Sequence, residues 1–179
     1  IYLAAVLAAV FVLIGLFFTE GILTLFGAEG TVLNMSVTYL RVLLLFAPAF
    51  IANNLILCFV RNDGAPQLSM AAMITGSLSN VVLDWVFIFP CGMGMFGAAF
   101  ATGLAPIISM AILSVHFIKK RNGFRIVKTA PEPRLCVGIL SGGVPSLVTE
   151  VSSGIVIIVF NAIIMGLEGN IGVAAYGVI

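Results

Sequence analysis

Five apolar stretches, each at or near the length needed to cross a lipid bilayer, follow one another along this 179-residue chain with little between them. They fall at 1–18, about 38–60, about 67–89, about 96–118, and from about 136 to about 165. A membrane helix needs about 20 mostly apolar residues, whereas the strands of a membrane barrel are half as long and alternate in polarity. The pattern predicts an all-α fold, a polytopic bundle of transmembrane helices. Composition points the same way. The chain is 61% hydrophobic and 8% charged, whereas a soluble domain is about half apolar and a quarter charged because its surface must stay solvated.

Both ends read as cuts in a longer membrane protein. Ile1 is not an initiator Met, and Ile179 falls in mid-pattern. Residues 1–18 read as the remains of a span, since a signal peptide would need a basic stretch before its apolar core and small residues at a cleavage site after it. A net charge of +1 supplies no basic excess to displace counterions, which argues against a nucleic-acid partner. Cys58, Cys91 and Cys136 show no CxxC spacing and read as ordinary small apolar residues.

The connections orient the bundle. The 19–37 connection holds Glu20 and Glu29 with no Lys or Arg, and its amphipathic ILTLF stretch predicts a short interfacial helix ending at Gly27. Arg61, Asn62, Asp63 and Gly64 form a polar turn, after which Pro66 can open a helix. Residues 90–94 make a tight uncharged turn. The segment 119–134 carries Lys119, Lys120, Arg121, Arg125, Lys128 and Arg134, together with Pro131 and Pro133. That concentration of basic residues predicts a cytoplasmic linker. Alternation then places the Arg61 turn inside and the other two connections outside, and the linker reads as a boundary between two helical bundles.

A charge at membrane depth costs about 2.5–3.5 kcal/mol on insertion scales, so each one needs a reason. Two carboxylates, Asp84 and Glu150, fall inside spans. Arg41 and Arg61 are expected at span ends, where long side chains snorkel. Ser77, Asn80 and Asp84, spaced i, i+3, i+7, share one helix face. At 1.5 Å per residue Asp84 lies about 8 Å below the outer end of its span, and Thr102 on the next helix lies at nearly equal depth. A hairpin closed by the 90–94 turn would set the two side by side. A carboxylate, a carboxamide oxygen, a hydroxyl and a freed backbone carbonyl are hard oxygen ligands that suit Na⁺. The same cluster can hold a proton, because burial favours the uncharged carboxyl, or serve only as an interhelical hydrogen-bond network.

Glu150, Gly154, Ile157 and Asn161 follow i, i+4, i+7, i+11 and form one stripe, expected to face a cavity. Glu150 lies near mid-span, with Thr149, Ser152 and Ser153 beside it to satisfy it, and Glu150 with Asn161 is a second candidate ion or substrate site. Pro48, Pro106 and Pro145 each interrupt a span and free a carbonyl, and a kink at Pro106 could reshape the site at Thr102. Asn53 and Asn54 are expected to make interhelical hydrogen bonds. His116, near Lys119, reads as an interfacial residue rather than a proton relay. Paired catalytic groups, metal-ligand clusters and nucleotide-binding loops are missing from the sequence, so no enzymatic activity is expected and work must come from an ion gradient.

The run VRNDGAPQLSMAAMITGSLSNVVLDWVFIFPCGMGMFGAAFATGLAPIIS resembles the MATE (multidrug and toxic compound extrusion) family, in its MepA-like branch. The family's short cytoplasmic turn leads into a helix with an N-x-x-x-D pattern, here Asn80 and Asp84. A G-x-x-G-A-A-x-A-T segment follows, here ending at Thr102. The stretch GGVPSLVTEVSSGIVIIVFNAIIMGLEGNIGVAAYGVI is similar to the first helix of the family's second half. The resemblance implies helices three to seven of a two-lobed, twelve-helix fold. Residues 1–118 would form part of the N-lobe, 119–134 a cytoplasmic linker, and 135–179 the first helix of the C-lobe. It implies exchange of Na⁺ or H⁺ for cationic or amphipathic drugs by alternating access, with no cofactor beyond the coupling ion. The full-length protein would be a monomer in the cytoplasmic membrane of a prokaryote. The family's N-lobe cation site would fall on Asn80, Asp84 and Thr102 with the carbonyl of Ala98, and its first-helix acid upstream of Ile1. Glu150 resembles the seventh-helix acid of some members. Two alternatives stand beside this: a lipid-linked oligosaccharide flippase of the same superfamily, which usually carries cationic residues in its cavity, and a non-transporting membrane scaffold or receptor.

Overall fold

The computed structural model describes residues 1–26, 30–119, 123 and 132–176. Seven α-helices and no strand occur among them: α1 (Tyr2–Phe17), α2 (Thr19–Leu25), α3 (Gly30–Leu45), α4 (Ala47–Asn62), α5 (Pro66–Ile88), α6 (Gly94–Ile118) and α7 (Pro133–Tyr176). Three are long and apolar enough to span a membrane alone: α5, α6, and α7 over Pro133–Leu167. The pairs α1 with α2 and α3 with α4 meet the same test as bent pairs, making up to five spans. Gly27, Glu29, Lys120, Arg121, Arg125, Lys128 and Pro131, on which part of the loop reading rests, lie outside the described residues.

Each bend has a local cause. At Phe18 the chain turns 74° between α1 and α2, and the Thr19 hydroxyl donates to the Gly15 carbonyl at 2.7 Å. A side chain that inserts into the helical ladder in this way commonly bends it. The segment expected as one span at 38–60 begins earlier, at Gly30, and breaks at Phe46 with a bend of 46°. Pro48, in the first turn of α4, has no N–H for the carbonyl of Leu44, so the ladder opens there. The earlier start also moves Arg41 from the expected span end to a position within α3, one turn before its end, where it is exposed.

Short turns join the remaining helices. After Asn62 the Ala65 N–H reaches back to the Val60 carbonyl at 3.1 Å, and Gly64 takes φ +83°. This left-handed closure ends a helix and costs little only for glycine. Pro66 then opens α5 at its first turn, where a missing N–H is harmless.

The chain divides into two compact units, Ile1–Lys128 and Thr129–Ile179. In the first, α6 is the central helix, packed against α3, α4 and α5, with its most extensive pairing to α5. Small residues make this possible. A Cβ at Gly103 would stand 2.5 Å from two ring atoms of Phe46, and one at Gly97 would stand 3.1 Å from the Phe87 carbonyl. Close approach over small residues is how membrane helices gain dispersion energy when lipid offers no hydrophobic drive. Phe100 fills the adjoining space, with its ring centroid 5.8 Å from Phe46, 5.6 Å from Phe87 and 5.9 Å from Phe96. Toward the 62–65 turn, Leu57, Val60, Ala72 and Leu113 form a fully packed apolar cluster. The second unit is the single helix α7, which starts at Pro133 and so includes Arg134.

Candidate cation site

The α5–α6 hairpin sets Asn80 opposite Thr102. Asn80 Nδ2 donates to Thr102 Oγ1 at 3.4 Å, and the Thr102 hydroxyl donates to the Ala98 carbonyl at 2.9 Å. The pairing has a chemical consequence. Because Asn80 spends its amide nitrogen on Thr102, its carbonyl oxygen stays available as a ligand, and Thr102 keeps acceptor capacity on its oxygen. Asp84 lies one turn further along α5, and its Oδ1 is buried with no hydrogen-bond partner among the described residues. Buried polar atoms rarely go unpaired in a native structure. Ser77, the other member of the stripe, is exposed and lines a cavity of about 470 Å³ that Asn80 and Thr102 also line.

The same cavity reaches between α4, α5 and α6 past Pro106 to Ser109, with Asn53 on its α4 wall. Among the described residues the expected interhelical bonds of Asn53 and Asn54 are not made. Asn54 Nδ2 donates to the Phe50 carbonyl of its own helix at 3.2 Å, and Asn53 Oδ1 is buried without a partner. Both residues line the cavity between α4, α5 and α6. Pro106 does not interrupt α6, which continues to Ile118, but it gives no N–H to the Thr102 carbonyl.

Glu150, on α7, is exposed and makes no ion pair among the described residues. Two hydroxyls expected to satisfy it are engaged elsewhere. Thr149 donates to the Pro145 carbonyl and Ser153 to the Thr149 carbonyl, each at 3.0 Å. The geometry favours this, because a helical Ser or Thr reaches its own i−4 carbonyl more readily than a neighbour's carboxylate.

One constellation was not foreseen. His116, in the last turn of α6, is buried at 3% exposure, and its Nε2 sits 2.8 Å from Asp63 Oδ2. The Gly123 N–H donates to both oxygens of the same carboxylate, at 3.0 and 2.9 Å. Hydrogen bonding from His116, and then from Gly123, holds the Asp63 carboxyl below the usual carboxylate range. Asp63 thus ties the α4–α5 turn to the end of α6 and to the chain that follows.

A family model described as MatE matches residues 1–86. The chain is 29% identical over 180 residues to the multidrug export protein MepA of Staphylococcus saprophyticus, covering 99% of this chain and 40% of that protein. Its fold superposes with a TM-score of 0.82 and 27% identity on the inward-facing conformation of a multidrug resistance MATE family transporter of the MOP superfamily. The match takes in 98% of this chain and 40% of that one. The chain is similar to the MATE family model over residues 1–86 and to MATE family transporters over nearly its whole length. A MOP superfamily transporter from Pyrococcus furiosus, whose binding pocket is described as having reverse polarity and a different function, matches equally well, with TM-score 0.82, 28% identity and the same coverage. The chain spans about 40% of the length of the curated relatives it matches. Within it, the N-x-x-x-D helix is α5 and the G-x-x-G-A-A-x-A-T segment opens α6, so the two motifs form the two sides of one hairpin.

Proposed function

We propose that the chain forms part of a secondary active transporter of a bacterial cytoplasmic membrane. The transporter exports cationic or amphipathic drugs in exchange for Na⁺ or H⁺ by alternating access. The observation that carries this reading is the Asn80–Thr102 hydrogen bond beside the buried, unpartnered Asp84 oxygen. Together they gather a carboxylate, a carboxamide oxygen and a hydroxyl on facing walls of one hairpin, the hard-ligand set a small cation or a proton needs. The basic 119–134 segment orients the hairpin with its 90–93 turn outward. No cofactor takes part. The flippase reading is disfavoured because no Lys or Arg among the described residues lines the cavity between α4, α5 and α6.

The test is dye export by the full-length protein in proteoliposomes, with a Na⁺ gradient or a proton gradient imposed separately. Asp84→Asn is expected to abolish gradient-driven export while leaving membrane insertion intact. Export at the unsubstituted rate in both gradients would remove Asp84 from the coupling step.

A further inference from the structure

Thr102, Pro106 and Ser109 follow one another at i, i+4 and i+7, so they lie along one face of α6, and all three line the 470 Å³ cavity. At 1.5 Å per residue Ser109 lies about 10 Å from Thr102, on the side away from the 90–93 turn. Its Oγ is buried, with the residue 2% exposed, and has no hydrogen-bond partner among the described residues. Ser109 fits closely against α5: a Cβ on Gly76 would come within 3.3 Å of its Cβ. Across the cavity Asn53 Oδ1 is likewise buried and unpartnered. A third oxygen belongs to the Thr102 carbonyl, which Pro106 leaves without its helical N–H.

An apolar protein interior has no reason to accumulate such atoms, since an unpaired buried polar group costs about 1–3 kcal/mol. The space beside them far exceeds the roughly 10–15 Å³ that one water requires, and on its otherwise apolar walls Asn53, Asn54, Asn80, Thr102 and Ser109 supply the polar partners a water needs. Beyond Ser109 the track stops. Leu113, one turn further on, joins Leu57, Val60 and Ala72 in the dry apolar cluster. A cation at this level is held by neutral oxygens and water with no carboxylate beside it, which suits transit rather than tight storage.

We infer that Asn53, Ser109 and the Thr102 carbonyl form a second, hydrated station for the coupling cation, inward of the Asp84 cluster and sealed from the cytoplasmic ends of the helices by Leu57, Val60, Ala72 and Leu113. The station rests on the proposed cation coupling. It holds the ion between its release from Asp84 and its departure, and exchange runs through the open side of the cavity while the apolar cluster bars a leak.

The experiment uses full-length protein in proteoliposomes and reads equilibrium cation binding, gradient-driven dye export and thiol accessibility. Ser109→Ala combined with Asn53→Leu is expected to slow export about tenfold, the effect of losing roughly one hydrogen-bond equivalent from a transit step, with cation affinity changed less than about twofold. Ser109→Cys, with Cys58, Cys91 and Cys136 replaced by serine, is expected to react with a small cationic thiol reagent, and saturating cation is expected to slow that reaction. Full-rate export by the double variant, or a Cys at 109 that is inert or unprotected, overturns the station. If Asp84→Asn still abolishes export, cation coupling stands without it. If Asp84→Asn exports normally, the coupling reading fails first and the station falls with it.

Discussion

Asn80 and Thr102 are 22 positions apart in sequence, yet their side chains meet at 3.4 Å across the α5–α6 hairpin, with the Thr102 hydroxyl handed on to the Ala98 carbonyl. The order of donors matters more than the contact itself. Asn80 gives its N–H₂ group to the network, so its carbonyl oxygen keeps its acceptor capacity while the hydrogen bond fixes the side chain.

Thr102→Val keeps the shape of the side chain and removes both roles of the hydroxyl. The Asn80 amide then loses its partner and can rotate. Cation-driven export by the full-length protein is expected to fall about tenfold or more, consistent with roughly 1–3 kcal/mol for an unmade buried hydrogen bond. Thr102→Ser, which keeps the hydroxyl, should retain most of the rate. Equal loss in both variants would mean that the methyl group, through packing, sets the effect.

The Asp63 junction makes a separate prediction with a definite pH sign. The folded-state pKa of Asp63 lies below its ordinary value, so the junction contributes stability above the unfolded carboxyl pKa of about 4. That contribution is lost as pH falls through the depressed folded value. Hydrogen exchange at the Gly123 amide should therefore stay slow across neutral and mildly acidic pH and quicken only below about pH 4. Asp63→Asn should make it fast at pH 7. Gly123→Ala should do the same by another route, because a Cβ there would lie 2.8 Å from Asp63 Oδ1. Slow exchange at Gly123 in the Asp63→Asn protein would show that something else holds this segment.

How much of this was legible in the sequence depends on the distance over which each feature acts. The helical bundle and the α5–α6 hairpin follow from local periodicity and one short turn, but the depth count set Asp84 beside Thr102, whereas the side chain that bonds Thr102 is Asn80, one turn away. The start of α3 was harder to see. Thr31, Asn34 and Ser36 lower the apolarity of its first turns, so they read as a connection. The helix persists because such side chains bond back to it, as Thr38 does to the Asn34 carbonyl at 3.0 Å. The Asp63–His116–Gly123 junction was out of reach, since it joins residues 53 and 60 positions apart with no periodic signal. Ser109 was hidden for the opposite reason. A lone serine in an apolar run looks like a small packing residue until the structure shows its oxygen unpartnered beside a cavity.

Packing around α6 can be tested without reference to transport. A Cβ at Gly103 would meet three Phe46 ring atoms, two at 2.5 Å and one at 2.9 Å, at the break between α3 and α4. The ring is also held edge-on to Phe100, 5.8 Å away between centroids, so it cannot swing aside without disturbing a second aromatic. Gly103→Ala should therefore destabilise the protein by about 1–3 kcal/mol, the usual cost of overpacking, and lower its detergent-solubilised melting temperature. Adding Phe46→Leu to make room should recover much of the loss, and no recovery would place the clash elsewhere.

Glu150 separates function from stability most cleanly. It is exposed on α7 and holds no ion pair among the described residues, and the nearby Thr149 and Ser153 hydroxyls are already committed to backbone carbonyls. Replacing it by Gln removes a charge without breaking a bond, so thermal stability of the full-length protein should change by no more than about 0.5 kcal/mol. A carboxylate near the middle of an apolar helix nonetheless costs about 2.5–3.5 kcal/mol to place in the bilayer, which makes Glu150 a residue to test for a role in export. Glu150→Gln is accordingly expected to cut drug export several-fold at unchanged stability. A Gln variant that exports normally and melts at a higher temperature would mark the carboxylate as a residue the transport cycle does not use.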